Sequence, residues 1–254
     1  MAKLTLESFK NFFKYYNEEE HQIRAVEQLY ADLESSVCAI YLDEQAEWII
    51  KYRNKAKKPE PVPEKKWPIT KSQMARIMGC QVSNLPDSLM DDFARCVDLY
   101  DMDLTSIAYF LGQCAHESAG LRYPVEIHDG SNYEWRRDLG NIYKGDGVKF
   151  AGTGWIQVTG RYNHQAFSDY LQKKGKFDHK IIEVGKTHTS EKYPWSISGH
   201  WWHNNKMNEY CATNPPIDRV GQRVNGRYLP NGYQERRHYS KASFDVLGLP
   251  YPGN

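Results

Sequence analysis

Neither sign of charge predominates in this chain: 33 lysines and arginines stand against 32 aspartates and glutamates. Without a global field there is no electrostatic case for nucleic acid or an anionic membrane as the partner. Cysteine is sparse. Cys38, Cys80, Cys96, Cys114 and Cys211 are odd in number and widely spaced, which argues against a complete disulfide framework and fits a reducing folding compartment. No run of 18 or more apolar residues could cross a bilayer, so stable membrane insertion is not expected, and no short apolar run with a cleavage site reads as a signal peptide. The phosphate loop GxxxxGK[ST] is absent, and the stretch starting at Gly152 has Gln157 where a GxGxxG motif needs its last glycine. A zinc-peptidase HExxH fails as well, since Gly120 stands where the second histidine would follow His116 and Glu117.

What is present points to two domains. At 254 residues the chain can bury a full core and carry a smaller unit beside it. Residues 1–52 read as a small helical module, structural or wall-binding. Phe9, Phe12, Phe13 and Tyr16 share one stripe, Ile23, Val26, Leu29 or Tyr30, and Leu33 share another, and Leu42 to Ile50 make a third segment. Lys51 to Lys66 has seven basic residues, two acidic residues and three prolines without apolar periodicity, so residues 53–66 read as an exposed basic linker. Residues 67–254 form the larger domain. Thr70 stands at the head of a helical pattern through Met74, Ile77 and Met78, Leu85 to Tyr100 gives a second helix, and Leu104 to Glu117 a third. No set of long alternating strands appears, so the expected class is mainly α with a small β element. The many aromatics, 18 Tyr and 7 Trp, suit either a core or a sugar-binding cleft, where a ring face packs on a pyranose.

Two carboxylates stand out by their setting. Ile107, Phe110, Leu111 and Cys114 recur at helical spacing, and Glu117 continues the edge of that apolar stripe, a setting that suits a proton donor. A half-exposed helix-terminal glutamate has the same spacing. Glu126 follows Gly120 and Pro124, both of which oppose helix continuation, so it belongs to a loop able to fold back toward Glu117. In Lys149 to Phe167 the glycines allow a hairpin-like path. The run Trp155 to Thr159 reads as a short strand with Gln157 and Thr159 on one side, and Asn163 opens the next helix. His116 projects about 100° away from Glu117 and reads as a structural hydrogen-bonding group. The segment Trp195 to Trp202 is expected to combine helix packing with one cleft aromatic.

Taken together, AHESAG (residues 115–120), AGTGWIQVTGRYNH (151–164), SISGHWW (196–202) and RVNGR (223–227) resemble glycoside hydrolase family 19, which comprises chitinases and phage or bacterial lysozyme-like endolysins. The likeness runs from about Ile69 to Tyr239 and is nearest to the phage endolysin branch. It implies a lysozyme-like catalytic domain with Glu117 as general acid and Glu126 as general base, and with Gln157, Thr159, Asn163 and Asn225 as substrate-binding residues. It implies inversion at C1 and no metal or organic cofactor. The expected function is that of an endolysin cutting the β-1,4 bond between N-acetylmuramic acid and N-acetylglucosamine in bacterial peptidoglycan. A chitinase and an inert wall-binding protein are the alternatives. A monomer is expected, held in the host cytoplasm before release to the wall or periplasm, or else carried by a virion. The chain departs from the family where Gly152, Thr153 and Gly154 replace the usual GRG, where Arg227 ends the INGG-type segment, and where Ile127 and His128 follow Glu126.

Overall fold

The computed structural model describes residues 6–10, 20–35, 67–229 and 231–254. The chain divides into two compact units, Met1–Lys66 and Trp67–Asn254. Phe12, Phe13, Tyr16, the segment Leu42 to Ile50 and the linker 53–66 lie outside the described residues. In the first unit, α1 (Leu6–Lys10) and α2 (Glu20–Ser35) meet through Phe9, whose ring lies 5.6 Å from that of Tyr30. Val26 is buried and Leu29 is exposed, so Tyr30 continues the apolar stripe of α2.

The second unit opens with α3 (Lys71–Met78). Its start is set by a reciprocal cap: Gln73 N–H donates to Thr70 Oγ1 (3.2 Å) while Thr70 N–H donates to Gln73 Oε1 (2.9 Å). After Pro86 comes α4 (Asp87–Leu99), and after Asp103, which caps Ser106 N–H at 2.7 Å, comes α5 (Leu104–Glu117). The remaining helices are α6 (Asp146–Lys149), α7 (Arg161–Lys173), α8 (Lys180–Glu183), α9 (Lys186–Lys192), α10 (Pro194–Asn204), α11 (Met207–Cys211), α12 (Ile217–Asn225) and α13 (Tyr233–Leu247).

Helix α5 is buried on every side from Ser106 to Ala115, as expected of a helix apolar around most of its circumference. It runs antiparallel to α13 at very short range, because Gly112 has no side chain and only the small Ser240 side chain faces it. A Cβ on Gly112 would stand 2.7 Å from Ser240 Cα. Helix α10 is capped from a distance: Asp92 of α4 accepts from Trp195 N–H (2.8 Å), Ser196 N–H (3.2 Å) and the Ser196 hydroxyl (2.5 Å). Burial nevertheless pushes the Asp92 carboxyl up to about 6 against the pull of these bonds and of Arg95.

Trp195 and Trp202 are fully buried against Phe93 and Phe110, and Trp201 is half-buried against the same core, so packing takes at least two of the three tryptophans of the segment. One sequence expectation changes here. The run Trp155 to Thr159 forms no strand. Among the described residues the β structure reduces to two isolated bridges that share Thr153, one to Val125 and one to Val158. Gln157 takes a left-handed conformation (φ 56°), which breaks the two-residue alternation on which the strand reading rested.

Candidate active site

Helix α5 stops at Glu117. Ser118 N–H still reaches Cys114 C=O (3.0 Å), and Gly120 closes the end in the left-handed region with its N–H on Ala115 C=O (2.8 Å). Glu117 is therefore presented at a helix terminus, half-buried, but not against a bare apolar wall. Its Oε1 accepts from Arg236 Nη2. Arg236 is itself buried and bonded at each of its three nitrogens: Nη1 also donates to Gln113 Oε1 (2.7 Å) and Nε to Asn231 C=O (3.0 Å). A guanidinium in such a fork has one orientation available, so it fixes the carboxylate it holds. The Gly112–Ser240 approach makes this possible, since Arg236 lies one turn before Ser240 and Gln113 and Glu117 follow Gly112 along the facing helix.

Asn225, the last residue of α12, accepts from Asn231 N–H (3.3 Å). Asn231 C=O in turn receives Arg236 Nε, so Asn225 is linked to Glu117 through two intermediates. His116 packs on the same turn. Its Nδ1 lies 3.2 Å from a Glu235 carboxylate oxygen and its ring covers Gly232. Burial, then the neighbouring Arg236 charge, lowers its pKa, leaving a neutral structural imidazole.

Glu126 is positioned by backbone pairing. Its N–H donates to Gly152 C=O (2.9 Å) and Gly154 N–H donates to Pro124 C=O (2.8 Å), which lays residues 124–126 along 152–154. The carboxylate accepts from the Tyr133 hydroxyl (2.8 Å) and from Gly152 N–H (3.1 Å). Those bonds use two of roughly four acceptor positions, which leaves room for a water. Gln157 closes the turn beside it, with Nε2 donating to Tyr123 C=O and Gly154 C=O, both at 3.1 Å. A Cβ on Gly152 would stand 2.7 Å from Gln157 Oε1 and 3.1 Å from Glu126 Oε2, so both oxygens converge on the bare face of that glycine. The Thr159 hydroxyl donates to Gln157 C=O (3.1 Å), and Asn163 Nδ2 donates to Thr159 C=O (2.7 Å).

The six residues named from the sequence thus fall into two groups. Glu117 and Asn225 are tied together through Arg236 and Asn231, while Glu126, Gln157, Thr159 and Asn163 are tied through the turn at Gly152. The nine-residue connection from Ser118 to Glu126 joins the groups, and Gln157 is anchored on that connection at Tyr123. All six are half-buried and reachable from solvent. Sequence reasoning missed Arg236, Gln113 and Tyr133. A signal for Arg236 existed: Arg236, Ser240, Ser243 and Phe244 form one buried stripe at i, i+4, i+7 and i+8, which sets a cation on an inward face where it requires a carboxylate.

No known family profile matches the chain. A glycosyl hydrolase family 19 domain-containing protein of Haemophilus influenzae is 25% identical over 163 residues, covering 51% of this chain and 74% of that relative. Chitinase C from Streptomyces griseus matches in structure with a TM-score of 0.55 and 16% identity, over 76% of this chain and 100% of that one. The class IV family 19 chitinase of Zea mays matches with a TM-score of 0.54 and 15% identity, over 73% and 95%. The chain is similar to glycoside hydrolases of family 19. Its fold is the mostly helical, lysozyme-like fold of the family 19 chitinases, and Trp67–Asn254 is the unit that carries the residues named above.

Proposed function

We infer that this family 19 hydrolase is an endolysin that cuts peptidoglycan between N-acetylmuramic acid and N-acetylglucosamine with inversion, acting at the wall after release from the host cytoplasm. The observation that carries the reaction type is the unequal setting of its two carboxylates. Glu117 gives its proton to the glycosidic oxygen, and the charge left on it is met by Arg236, already oriented. Glu126 has open acceptor positions beside Tyr133 and Gly152 N–H, and takes the proton of a water attacking C1 from the opposite face. The exposed rings of Tyr123, Trp135, Tyr143 and Tyr162, which belong to the stretch that carries Glu126 and Gln157, offer faces for pyranose packing.

Peptidoglycan as the substrate is supported by the resemblance of the AHESAG to RVNGR set to the endolysin branch, and by the additional unit Met1–Lys66. A chitinase is the second reading, favoured by the names of the structural neighbours. Incubation with purified peptidoglycan and with chitin oligomers, followed by mass spectrometry of the new sugar ends, separates them. Reducing N-acetylmuramic acid is the expected product. Cleavage of chitin alone would reject the endolysin reading, and cleavage of a peptide or amide bond would reject a glycosidase altogether.

A further inference from the structure

Beside the loop that orients Arg236 lies a cavity of about 530 Å³, lined in part by Arg219, Gln222, Tyr228, Leu229, Tyr233 and Arg237. It belongs to neither group of site residues, yet it is built from the same elements. Helix α12 ends in Asn225 and also carries Arg219 and Gln222, while α13 directs Arg236 inward to Glu117 and Arg237 outward to the cavity.

Its walls differ in chemistry. Arg237 is spoken for: Nε and Nη2 grip both Asp218 carboxylate oxygens (2.9 and 2.5 Å), and the guanidinium lies 4.8 Å from the Tyr233 ring centre. Gln222 is also occupied, with Nε2 on Tyr228 C=O (2.8 Å) and Oε1 receiving Arg219 Nη1 (3.1 Å). That last bond is to a neutral amide. Arg219 is exposed and has no carboxylate partner among the described residues, so one positive charge with free N–H donors faces the cavity. Around it Tyr228 and Leu229 are 77% and 74% exposed, two adjacent apolar side chains on one wall of the cavity.

We propose that this cavity binds the acidic peptide branch carried by N-acetylmuramic acid, with Arg219 taking a free carboxylate and Tyr228 and Leu229 covering the small apolar side chains of the peptide. The proposal rests on the endolysin reading and gives that reading a means of telling wall from chitin, whose sugars bear no peptide. A planar guanidinium matches a carboxylate with two parallel hydrogen bonds. Neutral sugar would leave that charge unpaired, and a phosphate polymer would leave the apolar faces uncovered.

The test is titration of the full-length protein by calorimetry with a synthetic lactyl-tetrapeptide bearing free carboxylates, its fully amidated form, an N-acetylglucosamine oligomer and inorganic phosphate. The acidic peptide is expected to bind saturably, and both amidation and Arg219→Ala are expected to weaken it about tenfold, the value of one charge-assisted pair. Leu229→Ser should weaken it independently. Arg219→Ala should leave the rate on chitin oligomers, or on glycan strands stripped of peptide, unchanged. Absence of saturable peptide binding, equal affinity of the variant, or preference for phosphate overturns the proposal. Peptide binding depends on no cleavage, so a protein that binds the peptide but leaves peptidoglycan intact would refute the endolysin reading and spare the cavity, whereas cleavage without peptide binding would do the reverse.

Discussion

Gly112 of α5 and Ser240 of α13 meet backbone to backbone, with no room for a single added methyl between them. Everything at the Glu117 end of the site depends on that distance. Were the two helices spaced by ordinary side chains, Arg236 could not reach both Gln113 and Glu117 from the facing helix. Gly112→Ala is expected to destabilise the protein by about 1–3 kcal/mol, the usual cost of overpacking, which lowers the melting temperature by several degrees in a domain of this size. Turnover should fall further than the stability loss explains, because the carboxylate loses its fixed partner. A melting temperature unchanged from that of the parent protein would show that the helices separate freely and that this contact sets nothing.

Gly152 has a different sensitivity. A side chain there meets no backbone but intrudes between Gln157 Oε1 and Glu126 Oε2. Gly152→Ala is expected to cut turnover by at least tenfold while shifting the melting temperature less than Gly112→Ala does. Circular dichroism melting and initial rates on the same preparation decide it. Full activity would mean that the Glu126–Gln157 arrangement is not needed for the reaction.

Much of the fold can be read from the sequence because its signals are local. Helix α5 begins at Leu104 and ends at Glu117 as expected, since Asp103 caps one end and Gly120 closes the other. Thr70 caps its helix as its type and place suggest. What escapes the sequence is set by partners distant along the chain. Asp92 caps a helix 103 residues away, which no local pattern announces. Gln157 sits in a left-handed turn between the bridged residues Thr153 and Val158, so the alternation of the Trp155 to Thr159 run never becomes a strand. Trp195 and Trp202 are drawn into the core by Phe93 and Phe110. At the site, the carboxylate types were legible and their partners were not. Tyr133 differs from other tyrosines only through the loop that approaches it, and Arg236 only by its place on the inward stripe of α13.

Stability should depend on pH below neutrality. Burial lowers the pKa of both His164 and His200 to about 4, so each is neutral in the folded protein between its ordinary value of 6.5 and about 4, where the unfolded chain binds the proton. Their contribution is therefore present above pH 6.5 and is lost as pH falls from 6.5 toward 4. Asp92 acts oppositely. With its carboxyl raised to about 6, the folded state holds a proton between 6 and 3.8 that the unfolded state releases, which adds stability on acidification across that window. Two histidines outweigh one carboxylate, so the melting temperature is expected to fall between pH 7 and 4.5. A flat or rising melting temperature over that range would contradict the assignment of both histidines as buried and neutral.

The two carboxylates proposed as acid and base should respond differently to replacement by an amide. Glu117→Gln keeps the size and can still bond near Arg236, but it has no proton to give, so hydrolysis is expected to fall about 100-fold or more with substrate binding largely retained. Glu126→Gln should also slow the reaction, but it leaves the acid in place, and azide entering from the side of the water is expected to restore part of the cleavage. A parental rate in Glu117→Gln would remove it from the role of acid, and failure of azide to act on Glu126→Gln alone would weaken the division of roles.

In the proposed reaction a water activated by Glu126 attacks C1 while Glu117 protonates the leaving oxygen, and the configuration of the first product reports on that step alone. Proton NMR of the anomeric signal, recorded in the opening minutes of hydrolysis before mutarotation, distinguishes the outcomes. Direct attack by water on a β-linked substrate must give the α-anomer first. Appearance of the α-signal ahead of the β-signal is the predicted result, and initial accumulation of the β-anomer would contradict it.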